Sequence, residues 1–97
     1  MDIESKVEKI RNCFSKKFGT NIESIDCSNR KTWAFIVNGT SILHISYEYL
    51  ADNGIDDILN AIEKDCFKVL EAYPQNAFLL TNQGVKLGPS DLKNTVC

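Results

Sequence analysis

One stretch of the sequence decides the fold: Thr32-Trp33-Ala34-Phe35-Ile36-Val37-Asn38-Gly39-Thr40-Ser41-Ile42-Leu43-His44-Ile45-Ser46-Tyr47. Two runs rich in β-branched and aromatic residues, which favour strands, lie on either side of Asn38-Gly39. A two-residue type I′ turn favours this pair because both of its central residues need positive φ. The sequence therefore predicts a β-hairpin with strands over residues 32–37 and 40–47.

The register of this hairpin decides which side chains share a face of the sheet. A two-residue loop predicts that Phe35 pairs with Ile42, Trp33 with His44, Ala34 with Leu43, and Thr32 with Ile45. Both faces of the hairpin are then apolar, and His44 is a partly buried side chain beside Trp33. Either two helices cover the two faces, or the face with Trp33 and Phe35 contacts a partner.

Apolar residues at helical spacing predict one helix before the hairpin and another after it. The first helix covers residues 3–18, with Gly19 as its C-terminal stop. The second helix covers residues 55–73, with Asp52 or Asn53 as its N-cap.

A second, shorter hairpin is predicted after the second helix, with strands over residues 77–81 and 85–87, followed by one helical turn over residues 91–93. The predicted fold class is α+β, in the order helix–hairpin–helix–hairpin, with a small antiparallel sheet packed against two helices. We expect residues 1–97 to form a single globular domain.

The composition excludes several classes of protein. The chain has 97 residues, a net charge of −2 and a sequence pI near 5.3, whereas a general nucleic-acid binder needs a cationic face. No apolar run reaches the ~18 residues of a membrane span, and the charged start Met1-Asp2-Ile3-Glu4-Ser5-Lys6 is unlike a signal peptide. We therefore expect a cytoplasmic protein that binds neither nucleic acid nor membranes directly.

No motif with a fixed chemical function occurs in the sequence. The four cysteines, Cys13, Cys27, Cys66 and Cys97, are widely and irregularly spaced, which favours free thiols over two disulfides or a zinc site. His44 is the only histidine, and no motif places a carboxylate or nucleophile beside it. We therefore predict a non-enzyme with no catalytic residue, no metal and no cofactor.

Charge is unevenly distributed along the chain. Residues 43–71 contain seven acidic residues and two lysines, whereas residues 1–20 contain five basic and three acidic residues. At about 100° per residue, the second helix places several polar side chains on one flank of its apolar stripe. Two more acidic residues enter from the same end, so that the predicted strip consists of Glu48, Asp52, Asp56, Asn60, Glu63, Phe67 and Glu71.

The predicted strip has two interpretations. An acidic helix face is often only a solvated surface that keeps a protein soluble. An exposed Phe67 among the carboxylates instead favours an interface, because an aromatic residue anchors a partner while charges steer it. This second interpretation predicts a non-enzymatic inhibitor or adaptor whose carboxylates stand in for nucleic-acid phosphates and block the DNA- or RNA-binding groove of a basic protein.

In its size, its helix-plus-hairpin organisation and the acidic stretch Glu48-Tyr49-Leu50-Ala51-Asp52-Asn53-Gly54-Ile55-Asp56-Asp57, the chain resembles small phage-encoded anti-CRISPR proteins. Some of these proteins resemble duplex DNA to a type I CRISPR surveillance complex. The resemblance implies an inhibitor in the host-cell cytoplasm that occupies the DNA-binding surface of that complex. Because the net charge is modest, the resemblance implies mimicry by one face of the protein.

The alternative hypothesis is a small cytoplasmic housekeeping domain that self-associates through the hairpin face with Trp33 and Phe35. The two hypotheses differ in solution behaviour. Self-association through an apolar face predicts a homodimer that is insensitive to salt, whereas the inhibitor hypothesis predicts a monomer whose binding to its partner weakens with salt.

Overall fold

The computed structural model describes residues 1–88. The helices are α1 (Ile3–Phe18), α2 (Tyr47–Asp52), α3 (Ile55–Ala61), a π-helical segment (Ile62–Cys66) and α4 (Phe67–Ala72), and the strands are β1 (Ile22–Cys27), β2 (Thr32–Val37), β3 (Thr40–Ser46), β4 (Phe78–Thr81) and β5 (Gly84–Leu87). The strands form one sheet in the order β1-β2-β3-β4-β5, in which β3 and β4 are parallel and the other neighbours are antiparallel.

The predicted α+β class is confirmed by this arrangement of helices and sheet. The parallel pair arises because α2, α3 and α4 form the crossover between β3 and β4. No helix within residues 1–88 is long and apolar enough to cross a membrane. The helical turn predicted over residues 91–93 lies outside the described residues.

The first helix has the predicted bounds, and its two ends are capped as the sequence indicates. The Asp2 carboxylate accepts a hydrogen bond of 2.7 Å from the Ser5 amide at the N-terminus. Gly19 has a φ of 67° and donates its amide to the Ser15 carbonyl at the C-terminus, a left-handed cap that favours glycine. Phe14 is among the residues that α1 buries.

The turn of the first hairpin is confirmed, but the register predicted for its strands is wrong. Asn38 and Gly39 both have positive φ, 52° and 78°, as a type I′ turn requires. A β-bulge between Phe35 and Ile36 then shifts the pairing by one residue. The observed pairs are Phe35 with Leu43, Ala34 with His44, Trp33 with Ile45, and Thr32 with Ser46, and these replace the four predicted pairs.

The bulge decides which side chains of β3 join the core. A residue added to one strand moves every later side chain to the other face. Leu43 and Ile45 therefore share the face of Phe35 and are fully buried in the core, while His44 leaves the face of Trp33 and lies on the opposite side of the sheet.

The helices cover the sheet face that carries Trp33 and Phe35. Phe35 is fully buried, and its ring centroid lies 5.7 Å from that of Phe14 on α1. Trp33 packs against the same core and is half-buried. On the opposite face, Ala34 and His44 are also fully buried. Of the two interpretations of the hairpin, coverage by helices is the one observed for the Trp33–Phe35 face.

Two elements were not predicted from the sequence. Strand β1 carries a weak pattern, because only Ile22 and Cys27 at its two ends are buried. Helix α2 begins directly after β3, where the Ser46 hydroxyl caps it by accepting from the Tyr49 amide at 3.1 Å. Asn53 ends α2, and α3 starts after Gly54 without a side-chain cap, so the N-cap predicted at Asp52 or Asn53 is wrong.

The helix predicted over residues 55–73 contains a π-helical segment in its middle. In this segment, backbone amides donate to carbonyls five residues earlier instead of four. The segment therefore contains the equivalent of one residue inserted into an α-helix. Side chains after Cys66 are therefore rotated by about 100° relative to a straight α-helix. This rotation turns Phe67 toward the core and leaves Tyr73 57% exposed, although a regular wheel places Tyr73 in the apolar stripe.

Candidate protein-binding surface

The C-terminal part of the predicted strip packs against α1. Phe67 is half-buried, with its ring centroid 5.4 Å from that of Phe14 and 6.3 Å from that of Phe18. The ammonium group of Lys17 lies 5.4 Å from the centroid of the Phe67 ring and also forms an ion pair with Glu71. Phe67 and Glu71 thus contact residues of α1 and are not part of an exposed acidic strip.

The middle of the predicted strip is exposed. Asp56 and Asn60 on α3 and Glu63 on the π-helical segment all lie on the surface. Glu63, however, lines a cavity of about 340 Å³ together with Lys9 and Lys16 of α1. Basic side chains near Glu63 reduce the negative potential at this end of the strip.

The N-terminal part of the predicted strip lies on α2. Glu48 and Asp52 are exposed and four residues apart, so that they share one side of the helix. The Asp52 carboxylate accepts a hydrogen bond of 2.9 Å from the amide of Asn82, whose oxygen accepts one of 3.0 Å from Asn53. These contacts fix the end of α2 against the turn between β4 and β5.

A buried lysine also holds the C-terminal end of α2. Lys6 of α1 is only 8% exposed, and its ammonium group donates to the carbonyls of Leu50 and Asn53 at 2.6 and 2.8 Å. The C-terminal end of a helix has carbonyl groups without hydrogen-bond partners and carries a partial negative charge. A lysine donates hydrogen bonds to these carbonyls, and its positive charge is stabilised there. The backbone that carries Glu48 and Asp52 is therefore rigidly held.

An open groove of about 500 Å³ lies beside α2 and is lined mainly by apolar and acidic side chains. Its residues come from α1, β1, β2 and α2 and include Ile3, Glu4, Asp26, Trp33, Tyr47 and Glu48. The Tyr47 hydroxyl donates a hydrogen bond to the Asp26 carboxylate. This bond, together with desolvation and the negative charge of Asp26, raises the pKa of Tyr47.

The groove adds residues that the predicted strip lacks. Asp26 pairs with Trp33 across β1 and β2, which brings a carboxylate next to an indole although seven positions separate them. This neighbourhood depends on β1, which the sequence pattern does not reveal. Of the groove residues, the sequence indicated Glu48 as part of the acidic strip and Trp33 as part of an apolar hairpin face, but nothing in the pattern placed the two side by side.

His44 and its neighbours form a closed network in the sheet. The ring nitrogens Nδ1 and Nε2 are hydrogen-bonded with the hydroxyls of Thr32 and Ser41 at 3.0 and 2.9 Å. Ser41 is 1% exposed and His44 is fully buried, so that a substrate has no access to the hydroxyl. Desolvation and the charge of Arg30 lower the pKa of His44 to about 4. The network joins β2 to β3 and carries a structural role.

The cysteines differ in state. Cys13 and Cys66 are free, and burial raises the pKa of both thiols, that of Cys66 to about 12. A thiol with a raised pKa is a poor nucleophile at neutral pH. Cys27 is disulfide-bonded, so the expectation of free thiols is wrong at this position. Within the described range, no three His, Cys, Asp or Glu side chains are grouped to hold a metal ion.

No family model, curated protein or solved structure matches this chain. The most distinctive surface features of residues 1–88 are the exposed carboxylates of α2, α3 and the π-helical segment and the groove beside α2.

Proposed function

We propose that this protein is a non-enzymatic inhibitor or adaptor that binds a basic, nucleic-acid-binding protein through Glu48, Asp52, Asp56 and Glu63, here called the acidic surface. One observation carries the proposal: all four carboxylates are exposed, and none forms an ion pair with any of residues 1–88. The carboxylates of Glu48, Asp52 and Asp56 can therefore pair with cationic groups of a partner, and Glu63 adds less because Lys9 and Lys16 lie near it.

Carboxylates and phosphates are both anionic acceptors for arginine and lysine side chains. A basic groove that binds DNA or RNA therefore attracts this surface for the same physical reason that it attracts a nucleic acid. The firm attachment of α2 by Lys6 and Asn82 supports the proposal, because a preorganised surface loses little entropy on binding.

The resemblance to phage-encoded inhibitors adds a specific partner to the proposal, the DNA-binding surface of a type I CRISPR surveillance complex. The protein then acts as a monomer in the host-cell cytoplasm and competes with duplex DNA. Self-association through Trp33 and Phe35 receives no support from the burial pattern, because Phe35 is fully buried in the core.

The test is competition with duplex DNA for a purified type I surveillance complex, at low and at high salt. We expect the wild-type protein to displace DNA at about 50 mM salt and to lose most of this effect at about 500 mM, where Coulomb attraction is screened. The double variant E48K/D52K should displace DNA at least about tenfold less well, since each charge pair at an interface contributes on the order of 1 kcal/mol or more.

A matched control separates the acidic surface from net charge. The double variant E23K/D65K introduces the same charge change at exposed positions on β1 and the π-helical segment. We expect it to compete nearly as well as the wild type. Equal competition by E48K/D52K and the wild type, or none by the wild type at low salt, would overturn the proposal.

A further inference from the structure

The groove beside α2 combines an apolar floor with a negative rim. Ile3 and Trp33 are half-buried and pack on the core, while Glu4 and Glu48 are exposed at the edge. Neither glutamate forms an ion pair with a residue in the described part of the chain. A ligand that fills this groove must therefore offer a flat or apolar body and a positive charge.

The second aromatic side chain of the groove is held in position. Tyr47 is half-buried, and its hydroxyl donates to the Asp26 carboxylate on the neighbouring strand β1. Its backbone amide donates to the Lys31 carbonyl at 2.9 Å, which fixes the start of α2 relative to the turn between β1 and β2. The groove is thus bounded by two aromatic rings whose positions the fold determines.

Among cationic groups, a guanidinium fits this combination best. It is planar, is less strongly hydrated than an ammonium group, stacks on aromatic faces and donates two parallel hydrogen bonds to a carboxylate. A neutral apolar ligand would desolvate the glutamates without pairing them, which costs free energy. An anionic ligand would be repelled by the carboxylates of Glu4 and Glu48.

We infer that this groove binds an arginine side chain of the basic partner, with the guanidinium between Trp33 and Tyr47 and its N–H groups directed at Glu4 and Glu48. The inference rests on the proposed function and deepens it. It names arginine as the partner residue that anchors the complex, in addition to the electrostatic attraction of the acidic surface. An arginine anchored in a groove also adds specificity that screened charges alone do not supply.

The experiment uses the protein's own reporter, since Trp33 is the single tryptophan of the chain. The intact protein is titrated at low salt with acetylated, amidated tetra-arginine and with the matching tetra-lysine peptide, which has the same charge. We expect tetra-arginine to change the emission of Trp33 saturably and to bind at least about fivefold more tightly than tetra-lysine.

Variants connect the signal to the groove. By fluorescence anisotropy with labelled peptides, E48Q should weaken tetra-arginine binding about tenfold, and W33F should reduce the preference for arginine over lysine. E23Q, on the outer strand β1 and away from the groove lining, should bind as the wild type does. Because E48Q alters only an exposed side chain, it keeps the test valid even where W33F fails to fold.

The outcomes separate this inference from the proposed function. Equal, salt-sensitive binding of both peptides with unchanged Trp33 emission would overturn the arginine site and leave the acidic surface as the binding element. Binding of neither peptide at low salt would overturn both. Arginine preference that survives in both E48Q and W33F would place the arginine elsewhere and contradict the inference.

Discussion

At the scale of single residues, His44 makes stability depend on pH. Its folded-state pKa is about 4, against an ordinary value of 6.5, because it is desolvated and lies near Arg30. Between these values the unfolded chain binds a proton that the folded protein excludes, so the free energy of unfolding falls as pH drops. The loss begins near pH 6.5, grows as the pH falls, and approaches about 3 kcal/mol below pH 4.

The check is urea unfolding at several pH values between about 7.5 and 4, with H44Q as the comparison. Carboxylates also titrate near the lower end of this range, and the variant retains them. We expect the wild type to lose stability more steeply than H44Q as the pH falls from 6.5 to about 4. Parallel curves for the two proteins would show that His44 is protonated in the folded state as easily as in the unfolded one.

Lys6 is the second residue with a definite energetic role. The K6M variant keeps most of the apolar stem but leaves the carbonyls of Leu50 and Asn53 without the donor they have in the wild type. We expect a loss of about 2 kcal/mol in the free energy of unfolding, since hydrogen bonds from charged donors are worth more than neutral ones. K9M, at an exposed position of the same helix, should change stability by less than about 0.5 kcal/mol in the same denaturation experiment.

The positions of single side chains were predicted correctly where they depend on the local sequence. They were predicted wrongly, or not at all, where they depend on how strands pair in the sheet. The exposed carboxylates Glu48 and Asp52 follow from the acidic stretch alone. The contact between Asp26 and the groove requires strand β1, and the position of His44 requires the bulge in the first hairpin. A bulge is a single unpaired residue selected by packing of both faces, and no pattern in the sequence marks it.

At the scale of elements, the π-helical segment explains why a regular helical wheel misplaces Phe67. The segment contains the equivalent of one extra residue, and Lys64 is exposed within it. Deletion of Lys64 should convert the segment into α-helix while leaving Phe67 and Leu70 turned toward the core. We expect the free energy of unfolding to change by less than about 1 kcal/mol.

Deletion of Lys68, also exposed, is the matched control for this element. When Lys68 is deleted, the helix has two alternatives. If it keeps the π-helical turn, Leu70 rotates out of the core, and if it loses the turn, Phe67 rotates out of the core. Either choice removes a packed apolar side chain, and we expect a loss of at least about 2 kcal/mol. Equal stability of the two deletion variants in urea unfolding would contradict this account of the π-helical segment.

Elements with strong local signals were predicted well, and weak or composite ones were not. Helix α1 has an N-cap, an apolar stripe and a C-terminal glycine, and its bounds are as expected. Helix α2 has only six residues, and its end is completed by Lys6, which lies more than forty positions away. A cap formed by a residue so distant in the sequence cannot be predicted from the residues that neighbour the helix.

At the scale of the whole molecule, charge separation matters because the protein is larger than the screening distance. Its extents are 31 × 29 × 23 Å, whereas the Debye length at physiological salt is about 8 Å. Charges on opposite sides of the molecule therefore do not cancel for a partner that touches one side. A net charge of −2 is compatible with a strongly negative surface beside α2.

This separation predicts an order among charge-reversal variants. Lys9 and Lys16 lie next to Glu63 around one cavity, whereas Glu48 and Glu4 line a groove to which no lysine or arginine of the described residues contributes. E48K/D52K should therefore weaken binding to tetra-arginine or to a basic partner by several-fold more than D56K/E63K, although both change the net charge equally. Titrations at about 50 and 150 mM salt measure the difference, which should shrink as screening increases. Equal effects of the two variants would mean that all four carboxylates of the acidic surface contribute alike and that the position of Glu48 beside the groove adds nothing.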